Sequence, residues 1–570
     1  GIALKYNQSG AGVGDYVLGI STTGSGASLA ASFTGAINFA NTASTFTTQS
    51  YNTTKNYTLI SAFTSAGESG STFYCSTTTN CSASNNLNFA LVGNINASSF
   101  TGSNLRKLGT TSAAYAGTFT GLGHTITGLT LSGAGNVGMF YSTANGAAVR
   151  DVRLTNTSIT GTANYTGALV GSAASGLTMT NVIMDGTSSV SNSASSYVGG
   201  LMGSAGSGTL SNIYVLTTNV TGSGYVGGVV GNGNMTVTNV HKVGNVTATG
   251  ANVGGAFGYM SGTMNNLDSV GNVTVTGSNY SVGGLIGDAG SSSITNAFAT
   301  GAVAATSSYQ VGGLLGVSGN GTLTSVSASG GNVSGTYRVG GLVGYVTGTG
   351  NITTASAAGN VTGTSDTVGG LVGYYYNGTI TSATTSGDVS GTSSVGGLVG
   401  YQYGTSTINT SSSAGRVTGT AGNVGGLVGY TYLGSLTVSG SSSTGNVQGT
   451  NRVGGLLGFM DNGYTLTIRN SSAQGTVNGT NTSGQVGGLI GYVYGTAYVY
   501  GSNYSGAGVT SLGPNVGGLV GEASWSSTIY NSYVNIAGNT GVQGTYNIGG
   551  MVGRNGESVT VQSNGTNIPV

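Results

Sequence analysis

Val339-Gly340-Gly341-Leu342-Val343-Gly344-Tyr345 returns 29 residues later as Val368-Gly369-Gly370-Leu371-Val372-Gly373-Tyr374, and 27 after that as Val395-Gly396-Gly397-Leu398-Val399-Gly400-Tyr401. The same string or a close variant also begins at Val198, Val226, Val253, Val282, Val311, Val424, Val453, Val486, Val516 and Ile548, with degenerate copies at Val137 and Thr166. A fixed period of this length marks a repeat array in which each unit buries its apolar face only against its neighbours. Glycine pairs in every unit would each cost a helix about 1 kcal/mol per residue, and β-branched residues dominate the rest, so helical solenoids are excluded. The unit also lacks the asparagine-spaced leucines of leucine-rich repeats and the roughly 40-residue blade of a propeller.

Two further segments complete the unit. An aliphatic residue follows a Gly or Ser turn at Leu210, Met264, Ile294, Leu323, Ile352, Ile380, Ile408 and Leu436, and a Gly-Asn-Val-Thr-Gly type segment recurs, as at Gly244 to Thr247, Gly271 to Thr274 and Gly359 to Thr362. The expected fold is all-β: a single-stranded parallel β-helix of about 15 coils, each of about 29 residues and three short strands, stacked about 4.8 Å apart. The expected divisions are a β-rich entry region over 1–110, degenerate first coils over 111–165, the repeats proper over 166–557 and an edge strand over 558–570.

Composition narrows the function. Of 570 residues only 12 are Lys or Arg and 11 Asp or Glu, against about a quarter charged in an ordinary soluble protein. Scattered cations argue against nucleic acid and against an electrostatic membrane patch, and Gly and Thr interrupt every apolar run before the roughly 18 residues of a membrane span. No signal peptide precedes the first strand, so a mature or trimmed chain is expected. Cys75 and Cys81, the two cysteines, lie in a Ser/Thr/Asn loop and are read as a disulfide of an oxidising compartment.

Stacking turns repeat positions into columns of neighbours. One column is aromatic: Tyr345, Tyr374, Tyr401, Tyr430, Phe459 and Tyr492, with a second set two residues on at Tyr376, Tyr403, Tyr432 and Tyr494. Residues two apart on a strand share a face, so these form a ladder that stabilises the coil or a flat contact face for glycans or a sister filament. The column Asn245, Asn272, Asn332, Asn360 and Asn446 is expected to form an amide ladder, interrupted by Asp388 and Arg416 as a cross-coil ion pair. Triplets such as Asn245-Val246-Thr247 are glycan-acceptor patterns when taken singly, but the repeat alone produces them, and glycosylation is left as the lesser alternative.

No catalytic residues, cofactor site or metal site is expected. The acidic residues do not pair in register on adjacent coils, and Asp288 and Glu522 share an offset but stand eight coils apart. His124 and His241 show no partner pattern and read as turn or surface residues, and the repeated glycines lack the Lys-Ser/Thr of a phosphate loop.

The Gly-Gly-Leu-Val-Gly repeats over about 166–553 resemble the GLUG motif of large bacterial surface proteins of the filamentous-haemagglutinin and adhesin type. Tyr57-Thr58-Leu59-Ile60, Asn94-Ile95-Asn96-Ala97-Ser98 and Gly117-Thr118-Phe119-Thr120-Gly121-Leu122-Gly123-His124-Thr125-Ile126 resemble the segment leading into such repeats, with Thr120 in place of the usual acidic residue. The resemblance implies a secreted or surface-held β-helical protein concerned with adhesion, aggregation or biofilm, although the family's amino-terminal secretion domain and a membrane anchor are not seen. The expected function is therefore a non-enzymatic extracellular structural or adhesive protein that assembles with itself head to tail. Its alternatives are a monomeric adhesin stalk binding glycans or cell surfaces through the tyrosine face, and, more remotely, a polysaccharide-active enzyme or an ice-binding protein.

Overall fold

A computed structural model describes residues 2–6, 16–50, 53–63, 86–98, 114–194, 197–278, 281–461, 463–536 and 541–562. The chain divides into two compact units, Gly1–Gly271 and Asn272–Val570. Both are parallel β-solenoids, and the described residues contain no α-helix. Among the described residues, the Gly-Asn-Val-Thr type segments form five rungs in the first unit and ten in the second, which is the expected total.

The coil that starts at Val339 shows how sequence becomes architecture. Val339–Gly340 lies parallel on Val368–Gly369, Val343–Thr349 and Asn351–Ala357 lie on successive parts of Val372–Thr385, and Val361–Gly363 lies on Val389–Gly391. The motif therefore does not form one strand, as three strands per coil would have it. It turns a corner at Gly341-Leu342 and feeds two sheets, and the N–H groups of Leu342 and Val343 both reach the Leu371 carbonyl, at 2.9 and 3.0 Å.

The glycine pair is required by close packing of backbones at this corner. A Cβ on Gly340 would lie 2.0 Å from the Val343 carbonyl oxygen, and one on Gly341 would lie 2.1 Å from that of Gly370. Val339, Leu342, Val343, Ile352 and Val361 point inward and are buried, each worth roughly 1.5–3 kcal/mol. The degenerate copies keep this register, since Val137 bridges to Thr166 and Thr166 to Val198. One alignment shifts: Ile408 pairs with Val438, and Leu436 falls opposite Ser406. Both pairs face the core, so the two-residue slip preserves burial and could not be seen from hydrophobicity alone.

The first unit begins differently. Ile2–Tyr6 lies parallel on Phe46–Ser50, which turns back antiparallel onto Thr53–Ile60, and only then does parallel stacking proceed through Asn88–Leu91 to Thr118–Thr120. Phe46 and Tyr57, with ring centroids 4.8 Å apart, anchor the reversal. A second antiparallel hairpin, Ile20–Thr23 with Ala30–Phe33, lies outside the coils. Its Leu29, Ala31 and Phe33 pack on Ile183, Tyr214, Leu216 and Val243, residues of three successive coils.

Candidate functional site

In the second unit the strands following each Gly-Leu corner bring the expected aromatics together. Tyr345, Tyr374, Tyr401, Tyr430, Phe459 and Tyr492 occupy one register column, with successive ring centroids 4.7 to 5.2 Å apart. The Tyr374–Tyr401, Tyr430–Phe459 and Phe459–Tyr492 pairs are near parallel, whereas Tyr345–Tyr374 and Tyr401–Tyr430 meet edge to face. Near-parallel rings at this separation lie over one another, so much of the ring surface faces the next rung and edges and hydroxyls face outward. Burial among the rings raises the Tyr374 phenol to about 12 and pushes Tyr401 and Tyr430 up further. The second set is more open: Tyr376 stacks on Tyr403 at 4.9 Å, Tyr403 leans on Tyr432 at 6.1 Å, and Tyr494, 43% exposed, meets Trp525 at 6.2 Å.

Two arginines lie on this face. The Arg338 guanidinium sits 4.2 Å from the Tyr345 centroid and 4.9 Å from that of Tyr374, and Arg452 sits 3.9 Å over Phe459. Around Arg452 the face deepens into an open groove of about 370 Å³. Asn423 accepts from Arg452 Nη1 at 3.3 Å on one side, and Tyr430 donates to Asp461 Oδ2 at 3.1 Å on the other. Aromatic walls with a fixed amide, guanidinium and carboxylate form a surface that can hydrogen-bond a polyhydroxylated ligand. The column ends in charge: Glu522 follows Tyr492, and Arg554 follows Glu522 and pairs with it at 3.0 Å, while Asn515 Nδ2 holds the other carboxylate oxygen at 2.7 Å. Asp288 begins the same column eight rungs earlier, with Val317 between it and Tyr345.

The Gly-Asn-Val column works differently from an amide ladder. Asn332 Oδ1 accepts from the backbone N–H of Asn360 at 3.2 Å, Asn360 Oδ1 from that of Asp388 at 2.9 Å, and Asp388 Oδ1 from that of Arg416 at 2.9 Å. Asn446 does the same for Thr476, Asn272 for Ala302 and, in the first unit, Asn219 for Asn245. Each side chain spends an oxygen on the next rung's backbone, which is why Asp388 substitutes for Asn without disturbing the run. The Asp388–Arg416 pair is open, at 3.9 Å with both side chains more than half exposed, and such pairs contribute about 0 to 1 kcal/mol.

A true amide ladder lies elsewhere, in the first unit. Asn266 Nδ2 donates to Asn239 Oδ1, Asn239 to Asn212, Asn212 to Asn181, and Asn181 to Asp151 Oδ1, all at 2.8 to 3.0 Å. All five residues have φ between 53° and 60°, a left-handed conformation that Asn and Asp tolerate better than most side chains. The second unit keeps the bend with other residues, Asn296, Ser325, Thr354, Ser382, Thr410 and Asn470 among them. From Thr410 onward a buried serine follows it: Ser441, Ser471, Ser502 and Ser532 each accept from the backbone N–H of the serine one coil earlier at 3.1 Å, beginning with Ser411. The sequence carries the signal for both ladders as a polar residue at coil spacing inside otherwise apolar strands.

The histidines are not isolated surface residues. His241 lies in register with Asp268 one coil on, and its Nδ1 contacts the Asp268 carboxylate. Its Nε2 is 3.0 Å from Asn239 Oδ1 and its ring stacks on Tyr214 at 4.9 Å, so both nitrogens are engaged within the ladder. Subtracting one period from Asp268 would have revealed the pair. His124 is buried, 2.8 Å from the Ile37 carbonyl, and burial lowers its pKa from the ordinary value, against the effect of that carbonyl. Lys242 is fully buried and donates to the carbonyls of Thr218 and Gly244 at 2.9 and 3.0 Å. Cys75 and Cys81 lie outside the described residues.

Residues 335–362 match the family model described as the GLUG motif. This chain carries a GLUG repeat. The match spans one turn, from the end of one Val-x-Gly strand to the start of the next, and takes in the corner at Gly341-Leu342. The register of the neighbouring coils repeats that corner wherever the GLUG-like string recurs. No curated protein and no solved structure matches the chain.

Proposed function

We propose that this GLUG-repeat solenoid is a non-enzymatic structural protein of the cell exterior, serving attachment or cohesion, whose copies associate head to tail. The observation that carries the reading is repetition. The aromatic, asparagine and serine columns continue from rung to rung through side chains that serve the adjacent coil, a construction suited to persistence rather than to turnover at one point. The scarcity of charge supports an exposed role in which solubility rests on hydroxyls and amides insensitive to salt. Head-to-tail association is favoured by the stacking itself, since coils that complete one another's backbone hydrogen bonds within the chain can do the same between copies.

A second reading, glycan binding through the tyrosine face, is favoured by the groove at Asn423, Arg452 and Asp461. Electron microscopy of concentrated protein should show filaments, with fibre diffraction near about 4.8 Å along the axis; monodisperse particles would remove the head-to-tail part. The combined change Tyr374→Ser, Tyr401→Ser and Tyr430→Ser separates the readings. Lost attachment to glycan-coated surfaces with filaments intact assigns contact to the ladder, and unchanged attachment leaves it as stacking alone.

A further inference from the structure

We infer that the first unit carries a binding site for a carboxylated saccharide, in the cleft between its N-terminal segment and the solenoid face, with Lys55 as the carboxylate partner. This goes beyond the reading above, which places any glycan contact on the aromatic face of the second unit.

The cleft has a volume of about 440 Å³, within the range of small-ligand sites, roughly 300–1,000 Å³. It is built from segments far apart in sequence. Arg150 Nη2 donates to the Tyr16 carbonyl at 2.6 Å and Asn181 Nδ2 to that of Leu18 at 3.4 Å, which fixes the N-terminal segment across the coils. The Arg150 guanidinium lies 4.1 Å from the Tyr16 ring centroid and its Nε is 2.7 Å from Asp151, a carboxylate fully removed from solvent. Arg150 is thus a neutralised, fixed wall.

Lys55 is different. Its strand, Thr53–Ile60, places it at the cleft with Tyr57, and its Nζ donates to Thr118 Oγ1 at 3.0 Å. Among the described residues no carboxylate stands within ion-pair distance of it, and none lines the cleft. A neutral hydroxyl does not offset a positive charge, which leaves the site open to an incoming anion. Tyr16 and Tyr57 line the same cleft, as does the exposed Thr178 with its hydroxyl. One uncompensated cation, aromatic surface and hydroxyls fit a sugar acid: the carboxylate on Lys55, the ring against tyrosine and the sugar hydroxyls on threonine.

The test is calorimetric titration of the full chain with digalacturonate, digalactose and inorganic phosphate. Digalacturonate should bind, weaken as NaCl rises, and lose about tenfold or more in affinity with Lys55→Met. Lys55→Arg should retain most of the affinity. Lys55 is exposed, so both variants should keep the parent circular dichroism and melting temperature. The inference is overturned if digalacturonate fails to bind at millimolar concentration, if Lys55→Met binds it as tightly as the parent, if digalactose binds equally well, or if phosphate competes as effectively as the sugar acid. Because Tyr374, Tyr401 and Tyr430 are untouched, failure here leaves the reading of the aromatic face standing.

Discussion

Lys242 sets the clearest problem at the scale of single residues. Its ammonium lies wholly inside the first unit, bonded to two carbonyls and, among the described residues, to no carboxylate, and a Cβ on neighbouring Gly228 would sit 2.1 Å from the Gly255 carbonyl oxygen and 2.2 Å from Lys242 Cε. Desolvation lowers its pKa from 10.5 to about 7, a direction that the two carbonyl bonds oppose. Between those values the unfolded chain holds a proton that the folded chain lacks, so stability rises with pH across the window. The burial penalty is at its fullest below pH 7. The melting temperature should therefore increase from pH 7 to pH 9.5, and Lys242→Met should flatten that increase. An identical slope in the variant would place the titrating group elsewhere.

At the scale of elements, the ladders decide where strands bend. Asn212 couples two demands, a left-handed backbone and two amide bonds to Asn181 and Asn239. Asn212→Ala should cost about 2–4 kcal/mol, combining lost hydrogen bonds with a left-handed penalty of about 1–2 kcal/mol. Asn212→Gly removes the same bonds but adopts the same φ freely, and should cost less. Urea unfolding of the two variants measures the difference, and equal losses would show that the φ demand is unimportant. The aromatic ladder obeys the same logic of neighbours, but its support comes from stacked and edge-to-face ring pairs of about 0.5–1.5 kcal/mol each, and Arg338 and Arg452 add cationic contacts to it.

For the whole molecule, stability is a sum over rungs in which each coil sees only its neighbours. Removing residues 339–367, one period, places Val368 on Val311, Val372 on Leu315 and Tyr374 behind Arg338, where Tyr345 had been. This shortened chain should fold, with circular dichroism per residue unchanged and a melting temperature within a few degrees of the parent. Removing residues 339–352 cuts the coil in half, puts the wrong faces inward and should yield aggregated protein. If both deletions fold equally well, the rungs are not the cooperative units proposed here.

The period of the GLUG string was enough, without coordinates, to establish parallel stacking, the coil length, the number of rungs and the membership of the aromatic column. Identical residues one period apart have one consistent arrangement, each over its copy, and Val339, Val368 and Val395 obey it. The tertiary structure decided what does not repeat or repeats quietly. It bent the motif at Gly341-Leu342, turned the Asn360 oxygen to a backbone N–H, set His241 on Asp268 and laid Tyr16 and Leu18 across the coils to meet Arg150 and Asn181. Those contacts depend on side-chain direction and on a non-periodic N-terminal segment, and a repeat alignment carries information on neither.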